Sequence, residues 1–209
     1  MDKAILKKFF SDLKEEDLEH IIDCIGYKVV NLNANTLLKI EPGLTMGLIV
    51  NGTVDRISID ICGNKTIERR YLKDDIFAYD PDMTYETMLV SKDKSQVITL
   101  HAEHIYDYKK RKCMVRTLFM EYIIKVLNDE LNYLSFKTKI YSQKSLREKI
   151  LAFLSKEIEI SGQNRIKLIY NRDDFASFLA CNRSALSREL SRMDSEGIIK
   201  IDSNCIELM

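Results

Sequence analysis

The stretch NRDDFASFLACNRSALSRELSRM, Asn171 to Met193, decides how the rest of the chain is read. Asn171 offers a side-chain oxygen to the first free amides of a helix. Asp173 and Asp174 fall in its first turn, where the helix dipole favours negative charge. Phe175, Ala176 and Leu179 give this short helix an apolar face. Ala180-Cys181-Asn182 then supplies a three-residue link, and Asn182 caps a second helix that runs to about Ser195. Two short helices joined in this way form a helix-turn-helix.

On the second helix the side chains separate into two sets. At about 100° per residue, Arg183, Ser184, Ser187, Arg188 and Ser191 gather on one arc, while Leu186, Leu190 and Met193 cluster on another. The polar arc suits a DNA major groove. A guanidinium pairs bidentately with guanine N7 and O6, and serines reach bases or phosphates without blocking approach. A helix face that is merely solvated carries Lys and Glu at i, i+4 spacing more often than this pattern.

Past the helix, Gly197 is placed to end it. Ile198 to Asp202 and Cys205 to Met209 read as two strands of a hairpin turned at Ser203-Asn204, and Arg165 to Tyr170 is expected to add a third strand. Upstream, Ser145 to Ile158 is a helix with Leu146, Ile150, Phe153 and Leu154 inward. From Tyr108 no proline or glycine occurs until Gly162. Val115, Leu118, Phe119, Tyr122, Ile123, Val126, Leu127, Leu131 and Leu134 form two neighbouring helical stripes, a wider apolar arc than one contact needs. One stripe can lie on the chain's own barrel and the other against the same helix of a second copy. A single core helix is the plainer alternative.

From Tyr27 to about Leu100 the texture is that of short strands broken by turn formers: Lys28 to Val30, Thr36 to Ile40, Leu48 to Val50, Val54 to Ile61, Thr66 to Leu72, Tyr85 to Val90 and Gln96 to Leu100. Asn33-Ala34-Asn35, Pro42-Gly43, Asn51-Gly52, Gly63-Asn64 and Asp80-Pro81-Asp82 supply the reversals. So many short strands bury their faces only if the sheet folds on itself, so a barrel-like β-roll is expected. Before it, Ile5 to Ile25 has the spacing of one or two amphipathic helices.

The 209 residues carry no net charge, yet the charge is unevenly placed. Residues 1–107 hold 13 Lys and Arg against 19 Asp and Glu, residues 108–135 hold 6 against 3, and residues 136–209 hold 13 against 10. An acidic front and a basic rear fit a sensor joined to a polyanion-binding module. The five cysteines are scattered and never spaced Cys-x-x-Cys, which argues for reduced packing thiols and against a disulfide frame, a zinc site or an iron-sulfur cluster. No apolar run approaches the roughly 18 residues that cross a bilayer, so a cytoplasmic protein without membrane partners is expected.

The quoted segment resembles the C-terminal domain of the Crp/Fnr regulators, whose pattern is Thr-Arg-x-x-Leu-Ala, a Gly-containing turn, then Ser-Arg-x-x-Leu-Ser-Arg-x-Leu and Gly-Leu-Ile. Arg172, Ala176, Arg183, Leu186, Ser187, Arg188, Leu190, Gly197 and Ile199 stand at matching places. Asn171 replaces the cap threonine, Phe175 a leucine, Ala180 the turn glycine and Asn182 a serine. Gly52-Thr53-Val54 and the Gly63-Asn64 hairpin resemble the family's effector barrel, and Tyr108 to Leu134 its dimer helix.

The resemblance implies an α+β chain in three parts. Residues 1–107 would form an effector-sensing antiparallel β-roll with flanking helices, 108–135 a dimerisation helix and linker, and 136–209 a winged helix-turn-helix. The expected activity is effector-modulated, sequence-specific transcription regulation by a homodimer on an inverted-repeat operator, with RNA polymerase as a further partner. Arg172, Asn182, Arg183, Ser184, Ser187, Arg188 and Arg192 are the expected DNA-binding residues. Of these, Arg183, Ser184 and Arg188 face bases, while Arg172 and Ser187 lie nearer phosphates.

An unknown small-molecule effector is expected between barrel and long helix, near Arg69, Arg70, Tyr71 and Tyr122. The Gly-Glu and Arg-Ser pair that cradles a cyclic nucleotide in the family is missing. Asp74, Asp75, Asp80 and Asp82 stand where the anion would approach, so a cyclic nucleotide is not the expected effector. The family's cysteine cluster is missing too, and His101 and His104 have no third metal partner. The chief alternative is a ligand-independent barrel and winged-helix protein-interaction module without specific DNA binding. An enzyme is the weakest reading, since no nucleophile elbow, phosphate-binding Gly-rich loop or metal triad occurs.

Overall fold

A computed structural model of the chain describes residues 26–82, 87–102 and 114–209, together with Lys7, Phe10 and Lys14. The helices expected between Ile5 and Ile25, the start of the strand expected at Tyr85, His104 and the start of the long helix at Tyr108 lie outside the described residues, as do the side chains of Val115 and Leu118. The architecture is α+β and divides into two compact units, residues 1–59 with 69–132 and residues 60–68 with 133–209.

In the first unit the strands are antiparallel. They are β1 (Lys28–Leu32), β2 (Thr45–Asn51), β3 (Val54–Ile59), β4 (Lys65–Tyr71), β5 (Ile76–Tyr79), β6 (Thr87–Ser91) and β7 (Ser95–His101). They form one sheet in the order β1-β7-β2-β5 and another in the order β4-β3-β6. Alternation along each strand of the first sheet feeds two cores. Met46, Leu48, Ala78, Ile98 and Leu100 join Phe119, Ile123 and Val126 of the long helix. Ile49, Phe77 and Val97 turn the other way and meet Leu32, Val54, Tyr71 and Leu89 from both sheets. Buried on both faces, β2 is a continuous apolar run rather than an alternating one.

Two departures from the sequence reading have local causes. Thr36 to Ile40 is reduced to a single bridge, Leu37 to Val90, after Asn35 reverses the chain at φ 57. The fully apolar tetrapeptide Ile76-Phe77-Ala78-Tyr79, too short for a period to show, is the strand β5 and pairs with β2. Gly47 is required on β2, because a Cβ there would stand 1.9 Å from the Phe77 ring. Gly52 turns β2 into β3 at φ 84, where a Cβ would meet Ser95 Oγ at 2.3 Å.

The long helix α1 is Met114–Tyr141. In the second unit α2 (Leu146–Ser161) starts at a capping box between Ser145 and Glu148 and stops at Gly162, whose φ is 68. Strand β8 (Arg165–Lys167), helices α3 (Arg172–Phe178) and α4 (Arg183–Ser195), and strands β9 (Ile199–Asp202) and β10 (Cys205–Leu208) complete it. The three strands form a sheet in the order β8-β10-β9, which is the expected three-stranded wing. Phe153 lies edge-on to Phe178 at 5.4 Å and packs on Phe175 at 5.0 Å, while Tyr170 stacks on Phe178 at 4.9 Å. Phe175 is therefore accommodated by an aromatic cluster rather than by an aliphatic core.

Candidate nucleic-acid interface

Both helices of the motif begin where their asparagines cap them. Asn171 Oδ1 accepts from Asp174 N at 2.8 Å, and Asn182 Oδ1 accepts from Ser184 N at 2.9 Å. The link between them is held by the Cys181 amide, which donates to Ala176 O at 3.0 Å, and Ala180 takes φ 50. An alanine thus occupies the left-handed conformation that glycine adopts without strain. At the far end the Ile198 amide reaches back to Met193 O at 3.0 Å around Gly197, whose φ is 70.

Between these fixed ends α4 presents two sides. Leu186, Leu190 and Met193 are buried, whereas Arg183, Ser184, Ser187, Arg188, Ser191 and Arg192 are exposed. Their present partners are local. Arg183 Nη1 lies 3.0 Å from Asp173 Oδ1, an exposed pair of the kind that contributes little. Arg188 Nε donates to Ser184 O at 3.3 Å, and Ser184 Oγ donates to Asn182 Oδ1 at 2.8 Å. Arg192 Nε donates to Glu196 Oε1 at 2.9 Å.

Two expected residues stand apart. The Asn182 side chain is spent on capping, and Arg172 is half-buried at the start of α3, with its Nη1 atom buried and without a hydrogen-bond partner. A brace missed by sequence reasoning sits behind α4. Arg147 of α2 donates to Glu189 and Glu196, each at 2.6 Å, so both carboxylates on that side are neutralised within the unit. Hydrogen bonds from Arg147 and Arg192 hold the Glu196 carboxyl below its usual range.

In the first unit the structure brings only part of the expected effector set together. Arg69 Nη1 stands 3.1 Å from Glu130 Oε2, and the Tyr71 hydroxyl donates to Glu130 Oε1 at 2.8 Å. Arg56 completes the cluster, 3.3 Å from the same carboxylate, donating also to Ala78 O at 2.7 Å and lying over the Tyr71 and Tyr79 rings. Its Nε is buried without a partner. Burial is the main cause that pushes the Tyr71 hydroxyl well above its ordinary pKa. Arg70 faces elsewhere and makes a buried two-point pair with Asp55, at 2.7 and 2.8 Å. Tyr122 lines a neighbouring open cleft with Arg69, Asp75 and Lys125. Among the described residues no three His, Cys, Asp or Glu side chains gather to hold a metal ion, and His101 pairs with Thr45 at 2.9 Å.

Glu130 is legible in the sequence from helix phase, whereas Arg56 is not. The inward positions of α1 run 119, 123, 126, 130, 133, 137 and 140, and at two of them the sequence places Glu130 and Lys137. A charge on a buried stripe needs a built partner.

At the level of sequence, no family model and no curated protein matches the chain. Solved structures do. A CooA mutant from Carboxydothermus hydrogenoformans superposes with a TM-score of 0.73 at 15% identity, over 98% of this chain and 90% of that one. This is the fold of the Crp/Fnr regulators. A transcriptional regulator of that family from Eubacterium rectale matches at TM-score 0.62 and 16% identity, covering 96% and 92% of the two chains. The c-di-GMP responsive global regulator CLP of Xanthomonas campestris matches at 0.66 and 14%, covering 93% and 99%. Among the described residues no helix is long and apolar enough to cross a membrane.

Proposed function

We propose that this chain is a Crp/Fnr-type transcription regulator that binds DNA as a homodimer and whose DNA affinity answers to an effector at the β-roll. The reading rests on one observation. An asparagine-capped α4 buries Leu186, Leu190 and Met193 and turns Arg183, Ser184, Ser187 and Arg188 to solvent. Those are the residue types that read a major groove, on a helix whose other side is fixed in a core. Arg183, Ser184 and Arg188 are the base readers in this proposal, and Ser187, Arg192 and Arg172 lie toward the phosphates. Residues 1–107, 108–135 and 136–209 serve as sensor, dimer helix and reader, with RNA polymerase a partner by the same analogy.

The dimer rests on a second stripe of α1. Ile124, Leu127, Leu131 and Leu134 are exposed by 54%, 39%, 62% and 58%, at spacings of three, four and three residues. This is the a/d pattern of a two-helix seam, and it exposes more apolar surface than a free helix keeps. The test is footprinting of the region upstream of the chain's own gene. Two inverted half-sites about 34 Å apart are expected, and Arg183→Ala should cost about 1–3 kcal/mol while relaxing choice at one base pair. Loss of the same size on every sequence would reduce Arg183 to a phosphate contact.

One observation favours the second reading, a β-roll that takes no ligand. Glu130 already occupies the two arginines and the tyrosine that an anion would use. Screening small organic anions for a shift in both thermal stability and DNA affinity separates the two. Silence in both assays favours the ligand-free scaffold.

A further inference from the structure

Lys137 sits on the inward stripe of α1, 2% exposed. Its Nζ donates to Ile67 O on β4 at 2.6 Å and to Phe178 O at 2.7 Å, and it lies 3.4 Å from the centre of the Phe178 ring. Phe178 is the last residue of α3, so its carbonyl is one that the helix itself leaves without a partner. Four residues further on Asn182 opens α4, and between them Ala180 holds its left-handed turn. The Tyr141 hydroxyl donates to the same Phe178 carbonyl at 3.2 Å, and Lys149 reaches Leu179 O at 3.4 Å.

We propose that Lys137 is a positioning residue for DNA recognition, a clamp that ties the β3–β4 hairpin to the C-terminus of α3 and so fixes the link into α4. The inference rests on the reading of α4 as the recognition helix, but the clamp has readouts of its own. Glu68 acts on it from the hairpin, the Tyr141 ring of α1 lies 5.0 Å away, and Tyr133 of α1 and Lys149 of α2 stand next in turn, against Tyr141. Burial lowers the Lys137 pKa from 10.5 to about 7, and Glu68 opposes that shift.

Protonation therefore competes with closure. A side chain that leaves this pocket for water recovers its ordinary affinity for a proton, so acid favours the open clamp. A neutral amine keeps hydrogens enough for both carbonyls and stays in. Between about 7 and 10.5 the unfolded chain holds a proton that the folded chain does not, so stability rises with pH across that window.

The experiment compares the full-length protein, Lys137→Met and Glu68→Gln from pH 6 to 9. It uses chemical denaturation and fluorescence anisotropy on a duplex taken from upstream of the chain's own gene. The wild type should gain stability and DNA affinity progressively from about pH 7 upward. Lys137→Met should bind about tenfold more weakly at pH 8, where the amine closes the clamp, and show neither pH response, since the Ile67 and Phe178 carbonyls lose the one donor that joins them. Glu68→Gln should fold and shift the step to lower pH. If Lys137→Met keeps the wild-type pH profile, the clamp is refuted. If Lys137→Met does not fold, an unshifted step in Glu68→Gln refutes it equally. A stability step in the wild type with no DNA binding by any of the three leaves the clamp standing and overturns the reading of α4 instead.

Discussion

Glu130→Ala is the most informative single change in the first unit, because one carboxylate answers three buried donors. It stands 3.3 Å from Arg56, 3.1 Å from Arg69 and 2.8 Å from the Tyr71 hydroxyl, and the three charged side chains are only 16%, 18% and 13% exposed. Removing it takes from two neighbouring guanidinium groups the carboxylate they share, and the Nε of Arg56 is already buried without a partner. Breaking a buried pair from one side costs about 3–5 kcal/mol, and residual exposure places this case near 3. For a chain of this size that corresponds to a fall in Tm of about 6–12 °C. Glu130→Gln keeps an acceptor for Tyr71 and should lose about half as much. Circular dichroism melts give the comparison, and a cycle with Arg69→Met should show a coupling of about 1–3 kcal/mol. Acetate or phosphate in the millimolar range should restore Tm to Glu130→Ala and leave the wild type unmoved. A Tm within about 2 °C of wild type, with no coupling to Arg69, would refute the view that the β-roll is held shut by its own carboxylate.

Three further outcomes are expected. Leu131→Glu, at the most exposed point of the outer stripe on α1, should give a monomer in sedimentation velocity at micromolar concentration without lowering the far-ultraviolet helix signal. Ala180→Gly relieves a φ of 50 and should raise stability by about 1 kcal/mol in urea titrations, with DNA affinity held or improved. Asp173→Asn frees Arg183 from its exposed partner and removes a negative charge beside the reading face, so affinity for DNA should rise by up to about fivefold at low salt, as read by anisotropy.

The helix-turn-helix was legible because its determinants are local. Caps, turn and amphipathic split all lie within Asn171 to Met193, and Gly197 ends α4 where its position demands. The β-roll was legible as a class and less so in detail. Strand β5 is four apolar residues buried on both sides, which gives no alternation to read, while Thr36 to Ile40 has strand composition but only one bridge. Of the residues expected around an effector, only some are brought together. Arg69 and Tyr71 share a side of β4 by the two-residue period, and the same period sends Arg70 the other way, to Asp55. What composition hid was Glu130, 59 residues from the tyrosine it accepts from, and Arg56 on another strand. Such pairings are set by sheet register and helix phase together.

Helix phase also explains why α1 holds the chain's least replaceable charges. Positions 119, 123, 126, 130, 133, 137 and 140 share one stripe, and Ile124, Leu127, Leu131 and Leu134 share the next. Glu130 and Lys137 are seven residues apart, two turns and about 10 Å along the axis, each inside a different compact unit. A rotation that withdraws Glu130 from Arg56 and Arg69 must carry Leu127 and Leu131 with it, because a helix turns as a body. An anion that competes for those arginines would therefore act on the exposed stripe that the proposal assigns to the dimer. A charge on the buried stripe of a helix is costly to keep. Its presence at Glu130 and Lys137 ties the phase of α1 to particular polar partners, Arg56, Arg69 and Tyr71 for the first and the Ile67 and Phe178 carbonyls for the second.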